Sequence, residues 1–145
     1  MANISAKLNP YLSDLVVFYL KLHDLHWNVK GMQFMPVHKY TEAQYDDMAE
    51  KFDAVAEIMI MHGEKPVSNI ADYVKLASIK EVSKDVYKDD EVLKILIDDM
   101  SALKAEAEAI RASMVEEDVF DVVALLEDHV AGYNKELWFL KSMLA

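Results

Sequence analysis

The chain has no cysteine, and only three glycines and three prolines in 145 residues. Without cysteine there is no disulfide scaffold, no zinc ribbon and no thiol chemistry. So little glycine leaves no room for a phosphate-cradling loop. No apolar run approaches the roughly 20 residues a membrane helix needs; the longest early one covers only residues 15–20. Residues 1–9 hold no apolar signal region, so no leader is expected. Basic residues are also in short supply: 15 Lys and Arg face 26 Asp and Glu, for a net charge of −11. Such a body repels nucleic-acid phosphate and attracts cations. With 53% hydrophobic residues disorder is excluded, and the length suits one domain over residues 1–145. A cytoplasmic protein without membrane partners is expected.

Apolar residues recur at 3-and-4 spacing in four long segments. The first spans residues 10–29, with Asn9 read as cap and Pro10 as first helical residue; its stripe is Leu12, Leu15, Tyr19, Leu22, His26 and Val29, widened by Tyr11, Phe18 and Leu25. The second spans residues 37–62, with stripe Tyr45, Met48, Phe52, Val55 and Met59, and Gly63 as its stop. The third starts near Asp90 and repeats Leu93, Leu96, Met100, Leu103, Ala107, Ile110 and Met114. The fourth starts near Asp118 and repeats Val123, Leu126, Val130, Tyr133, Leu137, Leu140 and Leu144. Gly31 with Pro36, and Gly63 with Pro66, bracket loops, whereas nothing marks the last turn. No strand pattern competes. The fold class predicted is all-α: an antiparallel four-helix bundle with a short extra helix over residues 69–77 in the second-to-third connection.

The second helix carries His38 and Glu42 at i, i+4, and Asp53 and Glu57 at i, i+4. All four fall within an arc of about 100°, beside the core stripe. The midpoints of the two pairs lie about 22 Å apart along the helix, so one chain cannot bring them together. Two antiparallel copies related by a two-fold axis near Asp47 and Met48 would, making two identical metal sites between chains. Ala49, Ala56 and the apolar Ile60 on the same arc favour coverage by a second helix. The alternative is an ordinary solvated charged face. His26 sits on the first helix's apolar stripe, as a core histidine or a ligand, with His23 one turn earlier as its companion. His62 reads as a helix C-terminal cation, and His129 has no partner at ligand spacing. The Glu-x-x-His motif of di-iron sites inside a bundle is missing, which also points between chains. Histidine with carboxylate suits iron, manganese or zinc.

The string His23-Asp-Leu-His26-Trp27-Asn28-Val29-Lys30-Gly31, followed by Phe34, Val37-His38 and Asp53-x-x-x-Glu57, resembles the Dps family of mini-ferritins, and Glu136-Leu-Trp138-Phe-Leu-Lys-Ser-Met-Leu144 is similar to that family's last helix. The resemblance implies a ferritin-like four-helix subunit in a hollow homo-oligomeric shell, a dodecamer, with iron-oxidising sites at two-fold interfaces. It implies His26 and His38 as ligands from one chain, and Asp53 and Glu57 from the other, with a carboxylate at Glu42 assisting. Glu42 stands where Asp is common, Lys39 where Glu is common, and Met35-Pro36 also departs from the pattern. The implied activity is ferroxidase: Fe2+ is oxidised to Fe3+, typically by hydrogen peroxide, and ferric mineral is stored against oxidative stress. Zn2+ or Mn2+ fits the same donors.

Trp27, beside a ligand, reads equally as a quencher of oxidising equivalents or as core packing. Asp46, Asp47 and Glu50 are candidates for nucleating mineral or for solvated charge. Some of Glu116, Glu117, Asp118 and Asp121 are expected at iron entry pores. Two other functions compete. One is DNA condensation; with only Lys7 before the first helix and a charge of −11, DNA binding is not expected. The other is a non-catalytic helical metal-binding or interaction module. Nine methionines read as adaptable core filler.

Overall fold

The computed structural model describes residues 3–145. Five helices and one pair of short strands follow in the order α1 (Ile4–Asn28), β1 (Val29–Lys30), α2 (Phe34–Met61), α3 (Ile70–Leu76), β2 (Tyr87–Lys88), α4 (Asp89–Glu116) and α5 (Phe120–Leu144). Short turns join α1 to α2 and α4 to α5, and each of these pairs packs along its length. The two hairpins form the four-helix bundle, linked by the long segment that carries α3.

The predicted stripes are the core. Every stripe residue of α4, from Leu93 to Met114, is buried, as are Leu12, Leu15, Leu22 and His26 of α1, Val29 of β1 and the three residues that widen the first stripe. In α2 Met48, Val55 and Met59 are buried, while Tyr45 and Phe52 are half-buried and meet Tyr19 of α1 edge-on. In α5 Leu126, Tyr133, Leu137 and Leu140 are buried and Val123, Val130 and Leu144 half-buried.

The structure corrects the sequence reading in four places, three of them helix ends. First, α1 starts at Ile4, not Pro10. Asn3 caps it through Ala6 N (3.2 Å), and the Glu64 carboxylate, from beyond α2, accepts from Ile4 N (3.1 Å) and Ser5 N (2.8 Å). This cap and the burial of Ile4 and Leu8 outweigh the one backbone bond that Pro10 removes within the helix. Asn9 instead accepts from Val67 N at 3.0 Å. Second, α2 starts at Phe34, so Pro36 lies in its first turn, where backbone N–H groups have no helical partner and proline costs no bond. Third, α5 starts at Phe120. The preceding turn needs one left-handed residue, and Asp118 supplies it (φ 56°) instead of glycine. Fourth, β1 and β2 pair in parallel, Val29 with Tyr87 and Lys30 with Lys88. Two residues per strand are too few to show an alternating pattern.

Gly31, just after β1, has φ 135°, and a Cβ there would lie 2.6 Å from Asp89 Oδ2, the atom that accepts from Gln33 N at 2.9 Å. Only glycine lets the chain turn this close to the start of α4. The short helix α3 is capped by Asn69, which accepts from Asp72 N at 3.0 Å, and it ends at Leu76 with Ala77 as its C-cap, close to prediction.

Candidate metal centre

The tight turn through Gly31 folds the end of α1 back against the start of α2. His26, in the last turn of α1, meets His38, in the second turn of α2. Their rings stack, with centroids 3.7 Å apart and planes 12° from parallel. Each imidazole bonds to the other residue's backbone: His26 Nδ1 lies 2.7 Å from the His38 carbonyl oxygen, and His38 Nδ1 lies 2.9 Å from the His26 carbonyl oxygen. A carbonyl only accepts, so both Nδ1 atoms carry hydrogen and donate. In the neutral ring this leaves each Nε2 with its lone pair free, the tautomer a metal requires. Burial holds His26 below its ordinary pKa and so keeps it neutral.

Three neighbours fix the pair. Thr41, fully buried, accepts from His26 Nδ1 (3.0 Å) and has the Val37 and His38 carbonyl oxygens at 2.9 Å as acceptors for its own hydroxyl. Phe34 stacks on His38 at 4.9 Å, and Tyr45 meets His26 edge-on at 5.3 Å. Glu42, exposed, reaches to 3.9 Å from His26 Nε2. This corner therefore brings the His26 and His38 rings together within one chain, with the Glu42 carboxylate beside His26.

Asp53 and Glu57 lie elsewhere, about 22 Å along α2. Both are exposed. A hydrogen bond to Asp53, and then its negative charge, push the Glu57 pKa above the usual carboxylate value. Among the described residues no lysine or arginine pairs with either acid. Beside them Ala49 and Ala56 are half-buried and Ile60 is 61% exposed. Among the described residues of one chain, no three His, Asp or Glu side chains converge on a metal position.

Trp27 points away from the core, 65% exposed, which overturns the packing alternative. It follows the buried His26 by one residue, about 100° around the helix. It lies 5.5 Å from the His23 ring, in a shallow hollow with Leu20 and Val82. His23 donates through Nδ1–H to the Tyr19 carbonyl oxygen (2.9 Å) and stacks on Tyr45 at 3.8 Å. His62 caps the C-terminus of α2 and bonds Asp121 through Nε2 at 2.8 Å. His129 does have a partner: its Nδ1 meets the Tyr11 hydroxyl at 2.8 Å. Asp47 is paired with Lys51, while Asp46 and Glu50 are exposed. Glu116 ends α4, Glu117 and Asp118 form the turn and Asp121 lies in the first turn of α5, all four exposed.

Sequence reasoning missed two buried polar groups: Tyr11 with His129 and Tyr133, and Asp14 with Glu106. Asp14 accepts from Ser78 N (2.6 Å), Ile79 N (2.9 Å) and Ser78 Oγ (2.8 Å). The available signal was a carboxylate and hydroxyls sitting on apolar stripes.

The ferritin-like domain family model matches residues 5–145. The DNA protection during starvation protein of Helicobacter pylori is 32% identical over 133 residues, 92% of each chain. That of Brevibacillus brevis is 30% identical, covering 97% of this chain and 94% of the relative. The crystal structure of Helicobacter cinaedi CAIP superposes with a TM-score of 0.95 at 36% identity, covering 99% of this chain and 100% of that one. The Dps protein from Vibrio cholerae O1, described as a member of a broad superfamily of ferritin-like diiron-carboxylate proteins, gives 0.93 at 27% identity, covering 98% and 89%. With its all-α bundle and its stacked histidine corner, the chain belongs to the Dps family of ferritin-like proteins.

Proposed function

We propose that the protein is an iron-storing ferroxidase whose sites form between two subunits of a dodecameric shell, and that it protects DNA by removing Fe2+ and hydrogen peroxide. The observation that carries this is the reciprocal bonding of His26 and His38, which engages Nδ1 of both stacked rings and leaves their Nε2 atoms for a metal, with the Glu42 carboxylate 3.9 Å from His26 Nε2. Asp53 and Glu57 of the partner subunit complete the set. The neutral nitrogens keep Fe2+ affinity moderate, and the anionic oxygens favour Fe3+. Two ferrous ions give one electron each to a peroxide. Its O–O bond breaks and both oxygens leave as water or hydroxide, so no hydroxyl radical is released. Hydrolysis of the ferric product frees protons and deposits mineral. Trp27, exposed beside His26, is proposed to intercept stray oxidising equivalents, and Zn2+ or Mn2+ to compete for the same donors. No helix among the described residues is long and apolar enough to cross a membrane.

Ferrous oxidation by peroxide, followed as ferric absorbance, tests the reading. The parent protein is expected to oxidise iron rapidly, and His26→Ala with Asp53→Ala to be inactive. Equal rates in both would overturn it.

Direct DNA binding is the second reading. The relatives are named for DNA protection, and those names lend no support to the weak binding expected from a charge of −11. A gel shift at low salt separates the two: complexes at near-stoichiometric protein would show direct contact.

A further inference from the structure

Three polar side chains meet inside the bundle, and nothing in the proposed iron chemistry uses them. Tyr11 of α1 is fully buried, and His129 and Tyr133 of α5 are nearly so. Tyr11 Oη lies 2.8 Å from His129 Nδ1 and 2.6 Å from Tyr133 Oη.

The order of the protons follows from counting acceptors. Among the described residues, Tyr133 Oη bonds only to Tyr11. If Tyr11 donated to Tyr133, the Tyr133 O–H would be buried without an acceptor, an arrangement that folded proteins avoid. Tyr133 therefore donates to Tyr11, and Tyr11 donates to His129 Nδ1. The histidine must then be neutral, and burial, which lowers its pKa to about 4, keeps it so. The result is a phenol with a base on its proton and a second donor on its oxygen.

We infer that Tyr11, His129 and Tyr133 form a buried trap for single oxidising equivalents, in which Tyr11 gives up an electron while its hydroxyl proton moves to His129 Nδ1. The oxidant is a hydroxyl radical, or another one-electron oxidant of the kind made when peroxide meets a single ferrous ion. It gains one electron and becomes hydroxide. Tyr11 loses that electron, its O–H bond breaks, an N–H bond forms on His129, and a neutral phenoxyl radical stands beside an imidazolium. One electron from a further ferrous ion, with the proton returned by His129, restores the phenol.

The surroundings place the radical on Tyr11. Its proton acceptor is already hydrogen-bonded, so no rearrangement precedes the transfer. Among the described residues no base bonds Tyr133, and the Lys51 ammonium over its ring, 5.5 Å from the centroid, opposes loss of an electron there. The Tyr133 O–H, pointing at the Tyr11 oxygen, stabilises the radical once formed. Full burial keeps water and dissolved oxygen from it.

The test needs no iron, so its failure is independent of the ferroxidase reading. The iron-free assembly is exposed to a photogenerated one-electron oxidant (a ruthenium tris-bipyridyl complex with persulfate), frozen, and examined by electron paramagnetic resonance. The parent protein is expected to show a long-lived tyrosyl radical carrying hydrogen-bond signatures. Tyr11→Phe, which keeps the ring, is expected to lose most of that signal. Tyr133→Phe is expected to retain it with a shifted g-tensor, and His129→Leu to lose it. Melting curves establish that each variant is folded, and Tyr133→Phe decides the matter should His129→Leu fail to fold. An undiminished signal in Tyr11→Phe, an unshifted one in Tyr133→Phe, or no tyrosyl radical in the parent would overturn the inference.

Discussion

His26 and His38 hold each other by bonds from ring to backbone, so losing one imidazole leaves the other's anchor in place. His38→Ala removes a donor and a stacking face yet keeps the carbonyl that accepts from His26 Nδ1. It is expected to abolish rapid ferrous oxidation while leaving far-UV circular dichroism unchanged. Gly31 tolerates less. With φ 135° and Asp89 in the place of a Cβ, Gly31→Ala is expected to cost about 1–3 kcal/mol, read as a lower denaturation midpoint in urea. Glu106 gives a pH dependence. Burial first, and then the hydrogen bond and charge of Asp14, raise its pKa to about 8. A carboxyl raised on folding stabilises the native state most below the unfolded value of 4.5, and that stability is lost as pH rises through about 8. Melting temperature is therefore expected to fall between pH 5 and pH 9. Glu106→Gln, which stays neutral, is expected to flatten the decline; the same slope in the variant would assign it to other groups.

The four long helices were legible because burial repeats with the helical period, as the unbroken stripe of α4 shows. What was not legible lay in bonds between distant residues. Asn9-Pro10 reads as a helix start on local rules, but the acid that caps α1 is Glu64, some 60 residues along the chain. The turn before α5 carries no glycine because Asp118 accepts the left-handed conformation. The histidine corner was half legible. The spacing of His38, Glu42, Asp53 and Glu57 on one arc predicted a site that no single chain completes. The interlocked backbone bonds of His26 and His38 depend on a turn geometry that spacing does not reveal. Tyr11 and His129 lie 118 residues apart, so their pairing had no local signal. The Glu64 cap makes its own prediction. Bonds from Ser5 and Ile4 hold its pKa below the usual carboxylate value. That contribution is present above pH 4.5 and lost as pH falls through the lowered value. Glu64→Gln is expected to lower the melting temperature at pH 7, with the gap closing in acid.

At the scale of the whole molecule, a site divided between subunits makes a quantitative demand. His26→Ala and Asp53→Ala subunits are each expected to be inactive alone. In a mixed pair, one of the two sites combines both defects and the other has neither. Random co-assembly of equal amounts is therefore expected to recover about a quarter of the parent's sites, measured as the amplitude of rapid ferrous oxidation. Recovery of none would mean that the site is not shared. Native mass spectrometry of the parent is expected near twelve times the 16.6 kDa chain. The short helix α3 bears on the same question through its kinetics. None of its residues is buried, and Ile70 and Val74 are 81% and 60% exposed. Seven residues are too few to hold a helix by themselves. In an isolated subunit its amide hydrogens should exchange with solvent deuterium almost as fast as those of an unfolded peptide. A subunit packed over Ile70 and Val74 would slow them by orders of magnitude, which makes α3 a built-in clock for the lifetime of the assembly.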